Sequence, residues 1–143
     1  MRDADATSDF ANIPSLLAKI DLVTQHGATP ILFTPQLALP YDIKSCVPRL
    51  LGYAANKCTI DPGERIKLDS SLKYVIDWLK INRPNVLVFD QNELFCDGTK
   101  CSMMRDGIPL LRDEGGHLSE YGSALLGDLF VQWAKTNAPE ILR

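Results

Sequence analysis

Apolar residues recur every three or four positions along three stretches of the chain, which is the spacing of one face of a helix. The first predicted helix covers residues 10–25 and ends at Gly27, the second starts at Asp69 or Ser70, and the third follows Ser119 as its N-cap. The apolar positions are Ile13, Leu16, Leu17, Ile20 and Val23 in the first helix, Leu72, Val75, Ile76 and Leu79 in the second, and Tyr121, Ala124, Leu125, Leu129 and Trp133 in the third.

Two short, almost entirely apolar runs lie between these helices, at residues 31–34 and 86–89. Each run follows a predicted helix, and a strand with no polar positions is typical of a parallel sheet that is covered on both faces. We therefore predict an α/β fold in which the two runs are neighbouring parallel strands. Asp90 comes directly after the second run, at the edge of the sheet where such folds bind ligands.

The rest of the chain shows no clear periodicity. Residues 36–68 form a long connection with room for a short helix around residues 49–56, and residues 94–111 are expected to be an excursion of short strands. The polar, acidic residues 1–9 are predicted to be disordered and do not resemble a signal peptide. Residues 10–143 are predicted to form a single domain.

Composition and charge exclude several classes of protein. The chain has 143 residues, a formal net charge of −3 and a pI near 5.3, so it lacks the basic surface of a nucleic-acid-binding protein. No apolar run approaches the length of a transmembrane helix. The sequence contains no pattern that indicates a cofactor.

The four cysteines fall into two pairs. Cys96 and Cys101 bracket a turn-forming segment, a spacing that suits a disulfide across a tight hairpin or two free thiols. Cys46 and Cys58 are candidates for a second disulfide. Neither pair has the Cys-x-x-Cys spacing of a zinc site, so no metal is predicted. An even number of paired cysteines favours an oxidising compartment.

The most chemically suggestive residues are a histidine and two carboxylates near the third helix. Asp113 and Glu114 precede His117 by four and three residues, and two glycines between them would let the backbone fold back. A carboxylate can fix the tautomer of a neighbouring histidine and so prepare it as a general base. The structural alternative is a solvated turn in front of a capped helix.

The residues around this histidine resemble the last conserved block of the SGNH (GDSL-like) hydrolases. The matching residues are His-Leu-Ser at 117–119 and Tyr-Gly-Ser at 121–123, with an acidic residue just upstream. The closer resemblance is to the SGNH domain fused to acyltransferase-3 membrane proteins, which O-acetylate bacterial surface sugars. It extends over roughly residues 10–137 and includes the strand after Gly27, Cys46 in the long connection, and the Cys96/Cys101 hairpin.

The resemblance implies a three-layer, flavodoxin-like parallel sheet and a Ser-His-Asp triad that acts on acyl esters. His117 would be the base and Asp113 its partner. The resemblance also implies a periplasmic or other extracytoplasmic location, an acyl-ester or carbohydrate substrate, and a membrane acyltransferase domain as a partner.

The sequence departs from the family pattern in two ways. The Gly-Asp-Ser nucleophile block and the Gly-x-Asn-Asp block are absent, so the nucleophile is unknown and the sheet is expected to be incomplete at its N-terminal side. The family usually places its acid three residues before the histidine, where this chain has Glu114. We favour Asp113, because its shorter side chain costs less entropy to fix, and Glu114 remains the alternative.

Three functions follow from these observations. The chain could be the C-terminal acid/base portion of an SGNH O-acyltransferase or esterase whose N-terminal segment is missing, with weak or no activity alone. It could instead be a degenerate, non-catalytic SGNH-like domain that binds carbohydrate or protein. The third possibility is an unrelated α/β domain whose Asp/His turn is purely structural.

Overall fold

The computed structural model describes residues 13–38, 42–46, 58–98 and 100–143. The helices in this part of the chain are α1 (Ile13–Gln25), α2 (Pro62–Asn82) and α3 (Glu120–Asn137). The strands are β1 (Ile31–Phe33), β2 (Thr59–Ile60), β3 (Leu87–Phe89), β4 (Cys96–Asp97), β5 (Lys100–Ser102), β6 (Met104–Arg105) and β7 (Ile108–Pro109). Short 3₁₀ turns cover Ile43–Cys46, Gln91–Leu94 and Pro139–Leu142.

Strands β1 and β3 pair in parallel, with Ile31 opposite Leu87 and Phe33 opposite Phe89. Backbone hydrogen bonds extend the pairing beyond both ends: Leu87 N–H donates to the Pro30 carbonyl over 3.0 Å, and Thr34 N–H donates to the Phe89 carbonyl over 3.0 Å. The prediction that these two apolar runs are neighbouring parallel strands is therefore confirmed. Their carboxyl ends lie side by side, at Thr34 and Asp90.

Helices pack against this strand pair through two separate groups of apolar side chains. On one face, the rings of Phe89 and Phe33 contact Phe130 of α3, with centroid separations of 5.2 and 5.4 Å, and Trp133 lies 5.3 Å from Phe89. Because neighbouring residues on a strand point to opposite faces, Leu32 packs elsewhere. It joins a cluster formed by α1, α2 and the residue before β3, with Ile20, Leu79 and Val86 as its buried residues.

A second and larger core lies under the short antiparallel strands. Strands β2, β5 and β4 form one small sheet, and β6 pairs with β7 in another. This confirms the expected excursion of short strands. The buried residues of this larger core are Leu37, Ile43, Cys46, Cys58, Ile60, Leu94, Phe95, Cys101, Met103, Leu110 and Leu111. Met103 and Leu110 are fully buried, so the excursion is an integral part of the core.

Both predicted disulfides are present. Cys96 and Cys101 face each other across β4 and β5 with their Cα atoms 4.0 Å apart, and the Cα atoms of Cys46 and Cys58 are 5.5 Å apart. Both distances are below the limit of about 7 Å for a bridge. Cys46 and Cys58 are buried in the larger core, so their disulfide anchors both ends of the segment between them.

Two helix boundaries test the sequence patterns. After α1, Gly27 has φ +75° and Ala28 N–H donates to the Val23 carbonyl, so the predicted end at this glycine is confirmed. The predicted start of the second helix is wrong, because α2 begins at Pro62, with the Asp61 side chain accepting from Gly63 N–H. The first two turns carry Ile66 on the surface, 65% exposed, and so lack the apolar stripe.

Two expectations fall on residues outside the described ranges. They are the disorder of residues 1–9 and the short helix around residues 49–56.

Helix α3 meets the larger core through an unusually close backbone contact. Gly122 is buried in the first turn of the helix, and a Cβ at this position would overlap the carbonyl oxygen of Leu110. Only glycine permits this approach. Ser119, the predicted N-cap, accepts a hydrogen bond from Gly122 N–H over 3.0 Å and donates one to the Pro109 carbonyl over 2.7 Å. The start of α3 is thus fixed to residues 109 and 110.

We expect Gly122→Ala to lower the free energy of unfolding by about 1–3 kcal/mol, because the added methyl group must displace backbone atoms. Gly127→Ala is the matched control in the same helix. A Cβ at Gly127 meets nothing within 4 Å, so this change should stabilise by about 0.5–1 kcal/mol. Urea denaturation of both variants measures the two effects, and equal stabilities would contradict the close contact.

Removal of the disulfide that closes the longer loop should destabilise the chain more than removal of the other. The Cys46–Cys58 bridge spans 12 positions and the Cys96–Cys101 bridge spans 5. The chain-entropy relation gives about 3 and about 2 kcal/mol respectively. Double alanine variants of each pair, compared by urea denaturation, test this order. Mass spectrometry of alkylated, non-reduced protein should find no free thiol, and labelling of all four cysteines would refute both bridges.

Candidate functional site

The candidate site is a backbone turn that joins β7 to α3. Leu111 and Leu118 form an isolated antiparallel bridge, and Arg112 N–H donates to the His117 carbonyl over 2.7 Å, which closes the turn at its base. At its tip, Gly116 has φ +80°, a conformation that glycine adopts at little cost. The chain therefore folds back as the two glycines suggested, and it brings the carboxylate and the imidazole together.

Asp113 is the carboxylate that meets the histidine. Its Oδ1 atom lies 2.8 Å from His117 Nδ1 and also accepts hydrogen bonds from the backbone N–H groups of Gly115, over 3.1 Å, and His117, over 3.3 Å. Glu114 forms no hydrogen bond or ion pair with any described residue. The geometry thus pairs His117 with Asp113, four positions earlier, and leaves Glu114 free at the surface.

The contact with Asp113 determines how the imidazole of His117 can act. Neutral histidine carries one ring proton, and an acceptor at Nδ1 places that proton on Nδ1. The Nε2 lone pair is then available to accept a proton. No described residue makes a hydrogen bond to Nε2, and the side chain is 67% exposed. The imidazole is therefore an accessible base whose other ring nitrogen, Nδ1, is hydrogen-bonded to a carboxylate.

Asp113 remains ionised across the physiological pH range. The hydrogen bond from the His117 ring, together with those from Arg112 and the His117 backbone, lowers the pKa of Asp113 from 3.8 to about 2. An ionised partner keeps the imidazole in one orientation and stabilises the positive charge that it acquires on accepting a proton.

A cleft of about 310 Å³ lies beside the Asp113 carboxylate. The loop after β1 forms one wall and the Asp/His turn forms the other. The lining residues are Gln36, Leu37, Ala38, Leu111, Asp113, Glu114, Gly115 and Gly116. The two walls are linked by a hydrogen bond of 3.0 Å from Gln36 Nε2 to the Gly116 carbonyl. The lining combines the apolar residues Leu37, Ala38 and Leu111 with amide and carboxylate groups, which suits a ligand with hydroxyl groups.

Other candidate residues have structural contacts. The Ser119 hydroxyl is engaged as the helix cap, which makes it unsuitable as a nucleophile. His26, the other histidine of the chain, lies just after α1, where its Nδ1 is 2.8 Å from the Leu22 carbonyl. Asp90 accepts from Thr34 Oγ1 over 2.9 Å and pairs with Arg65, and it therefore connects the strand ends.

Within the described ranges, no cluster of three or more histidine, cysteine or acidic side chains is arranged to bind a metal ion. None of the described helices combines the length and the apolarity needed to cross a bilayer. Sequence reasoning missed Gln36 and Asn92, two amide residues close to the cleft. Neither lies in a motif, and their spacing along the chain gave no signal.

A short parallel strand pair, a histidine–aspartate turn just before the last helix and two disulfides define an α/β domain that presents a histidine paired with a carboxylate. The family model described as "SGNH domain (fused to AT3 domains)" matches residues 1–132, and the chain belongs to this family. No curated protein and no solved structure matches the chain. Family membership removes the interpretation as an unrelated α/β domain and associates the chain with esterase or acyltransferase chemistry.

The lowered pKa of Asp113 predicts how stability responds to acid. A carboxylate whose pKa falls from 3.8 to about 2 on folding contributes stability above its unfolded pKa, and this contribution is lost as the pH falls through about 2. We expect Asp113→Asn to weaken the decline of Tm between pH 5 and pH 2. Glu114→Gln, the neighbouring control, should leave that decline unchanged, and identical pH profiles for all three proteins would exclude the interaction.

Proposed function

We propose that this chain supplies the general base and its orienting acid for SGNH-type ester hydrolysis or acyl transfer. His117 is the base and Asp113 the acid. The observation that carries the proposal is the 2.8 Å contact between Asp113 Oδ1 and His117 Nδ1, because it leaves Nε2 free and exposed. Family membership supports the same chemistry.

In the proposed reaction, His117 Nε2 removes the proton of an attacking hydroxyl as its oxygen forms a bond with the ester carbonyl carbon. Asp113 stabilises the resulting imidazolium. When the tetrahedral intermediate collapses, the original ester C–O bond breaks and Nε2 returns the proton to the departing oxygen. The acyl group, now bonded to the attacking oxygen, is transferred in the same way: Nε2 takes the proton of water in hydrolysis, or of an acceptor hydroxyl in transfer, the bond to the first attacking oxygen breaks, and Nε2 gives the proton to that oxygen.

The attacking group is the part of the site that these 143 residues do not identify. No serine in the sequence follows a Gly-Asp pair. We propose that the nucleophile belongs to an N-terminal SGNH segment. We also propose that the complete domain has three layers, with helices on both faces of a parallel sheet. Packing of α3 against one face of the β1–β3 pair and of α1 and α2 against Leu32 supports this arrangement.

The proposed setting is the extracytoplasmic side of a membrane, beside an acyltransferase-3 domain, with surface carbohydrate as the acyl acceptor. The two disulfides support an oxidising compartment. The family description supports the fused partner. An acetyl ester is the simplest substrate of this class.

A second candidate is a non-catalytic SGNH-like domain that binds carbohydrate or protein. The absence of the Gly-Asp-Ser block favours this binding function, because an oriented base accelerates the reaction little when there is no nucleophile to activate. The 310 Å³ cleft beside Asp113 would then be the binding site. Saccharide binding without hydrolysis, even when a nucleophile segment is supplied, would identify this function.

The isolated chain should hydrolyse 4-nitrophenyl acetate little faster than free imidazole does. Joined to a segment that carries the Gly-Asp-Ser block, it should turn over. His117→Ala should then abolish activity, and Asp113→Asn should reduce kcat by roughly 10⁴-fold, because the imidazole loses its tautomer and orientation. Initial rates measured at constant enzyme concentration give both values.

Two controls in the same chain make this test specific. His26→Ala removes the only other histidine, and Glu114→Gln removes the free carboxylate next to Asp113. Both variants should keep nearly full activity. A large loss in Glu114→Gln would show that the wrong carboxylate has been assigned, and strong esterase activity that survives His117→Ala would show that the chemistry lies elsewhere.

A further inference from the structure

Burial does not hold the Asp113–His117 pair in place. The His117 side chain is 67% exposed and that of Asp113 is 33% exposed, and the turn between them contains two glycines. Because glycine has the largest conformational freedom of any residue, hydrogen bonds must restrict this turn. Within the described ranges, only one side chain from outside residues 109–119 donates a hydrogen bond to it. That side chain is Gln36, whose Nε2 lies 3.0 Å from the Gly116 carbonyl oxygen.

The backbone on both sides of Gln36 is fixed by one buried residue. Asn92 Oδ1 accepts a hydrogen bond from Leu37 N–H over 2.8 Å, and Asn92 Nδ2 donates one to the Pro35 carbonyl over 2.8 Å. Asn92 is only 1% exposed, so water does not compete for these contacts. The backbone from Pro35 to Leu37 therefore has a defined conformation before any ligand binds.

Asn92 is itself held at the carboxyl ends of the parallel strands. Its backbone N–H donates to Asp90 Oδ1 over 3.1 Å, and the same oxygen accepts from Thr34 Oγ1 over 2.9 Å. Arg65 of α2 pairs with the other oxygen of Asp90. A continuous series of hydrogen bonds thus connects the ends of β1 and β3, through Asn92 and Gln36, to the tip of the Asp/His turn.

We propose that Gln36 is a positioning residue for the Asp113–His117 pair. Its amide holds the Gly116 carbonyl, and this contact limits the two-glycine turn to the conformation in which the imidazole meets Asp113. Asn92 sets the position of Gln36 in advance. The catalytic role of Gln36 rests on the proposed function, because the orientation of His117 affects the rate only if His117 is the catalytic base. The inference that Gln36 holds the turn in place does not depend on the proposed function.

The test compares variants that keep or remove the amide donor. Gln36→Met has a similar length and no charge but cannot donate to Gly116, and Gln36→Ala also removes the side-chain volume. Gln132→Met is the matched control, since Gln132 is an exposed glutamine in α3. Gln36 is at the surface of the cleft, so these variants should fold. Thermal unfolding verifies this for each one.

Two NMR measurements report directly on the pair. Long-range ¹H–¹⁵N correlation of the His117 ring should show the Nδ1–H tautomer in the parent chain and a mixture of both tautomers in Gln36→Met and Gln36→Ala. Carboxyl ¹³C titration should place the Asp113 midpoint near 2 in the parent chain and closer to 3.8 in these variants. The neighbouring charges of Arg112 and Glu114 are the same in every variant, so the change reports on Gln36 alone.

The inference is overturned if the His117 tautomer and the Asp113 midpoint are the same in the parent chain, Gln36→Met and Gln36→Ala. In the domain that carries a nucleophile, Gln36→Met should lower kcat roughly 10- to 100-fold with little change in KM. A fall in kcat without any NMR change would also contradict a positioning role. If the His117 tautomer and the Asp113 midpoint change in these variants but the nucleophile-bearing domain has no esterase activity, the positioning role of Gln36 is supported and the proposed function is rejected.

Discussion

The backbone contact between Gly122 and Leu110 is the constraint on which the site depends. Leu110 is fully buried, and α3 can start where it does only because residue 122 has no side chain. Ser119 then bonds to both the helix and the Pro109 carbonyl, so the first turn of α3 has one allowed position. His117 lies two residues before this cap. The packing of α3 against the core therefore determines where the imidazole is exposed to solvent.

Beyond that anchor, the site is built almost entirely from hydrogen bonds. One oxygen of Asp113 accepts hydrogen bonds from the imidazole and from two backbone N–H groups, so the turn and the contact between Asp113 and His117 stabilise each other. A side chain at residue 115 would crowd the pair, because its Cβ would come within 3.2 Å of both Asp113 Oδ1 and His117 Nδ1. An arrangement of this kind keeps the base accessible, which packing against apolar side chains would not.

Sequence reasoning succeeded where local chemistry decides the outcome. The parallel strands are short apolar runs after helices, Gly27 ends α1 through a left-handed backbone, and Ser119 caps α3 through its own hydroxyl. It failed at the start of α2, because residues 62–67 are mainly proline, glycine and charged residues, and their one large apolar side chain, Ile66, is exposed. It also missed the contact between Gln36 and Gly116. A hydrogen bond between residues 80 positions apart leaves no periodic trace in a sequence.

In the proposed reaction, the balance between hydrolysis and transfer depends on what covers His117 Nε2. An imidazole that is 67% exposed admits water as readily as a sugar hydroxyl, and water is present at far higher concentration. Acyl transfer therefore requires the acceptor, or a neighbouring domain, to displace water from this atom. The residues that line the cleft include Asp113 but not His117. On this argument the described part of the chain determines the position and orientation of the base, whereas selection of transfer over hydrolysis must come from the surface that closes over it.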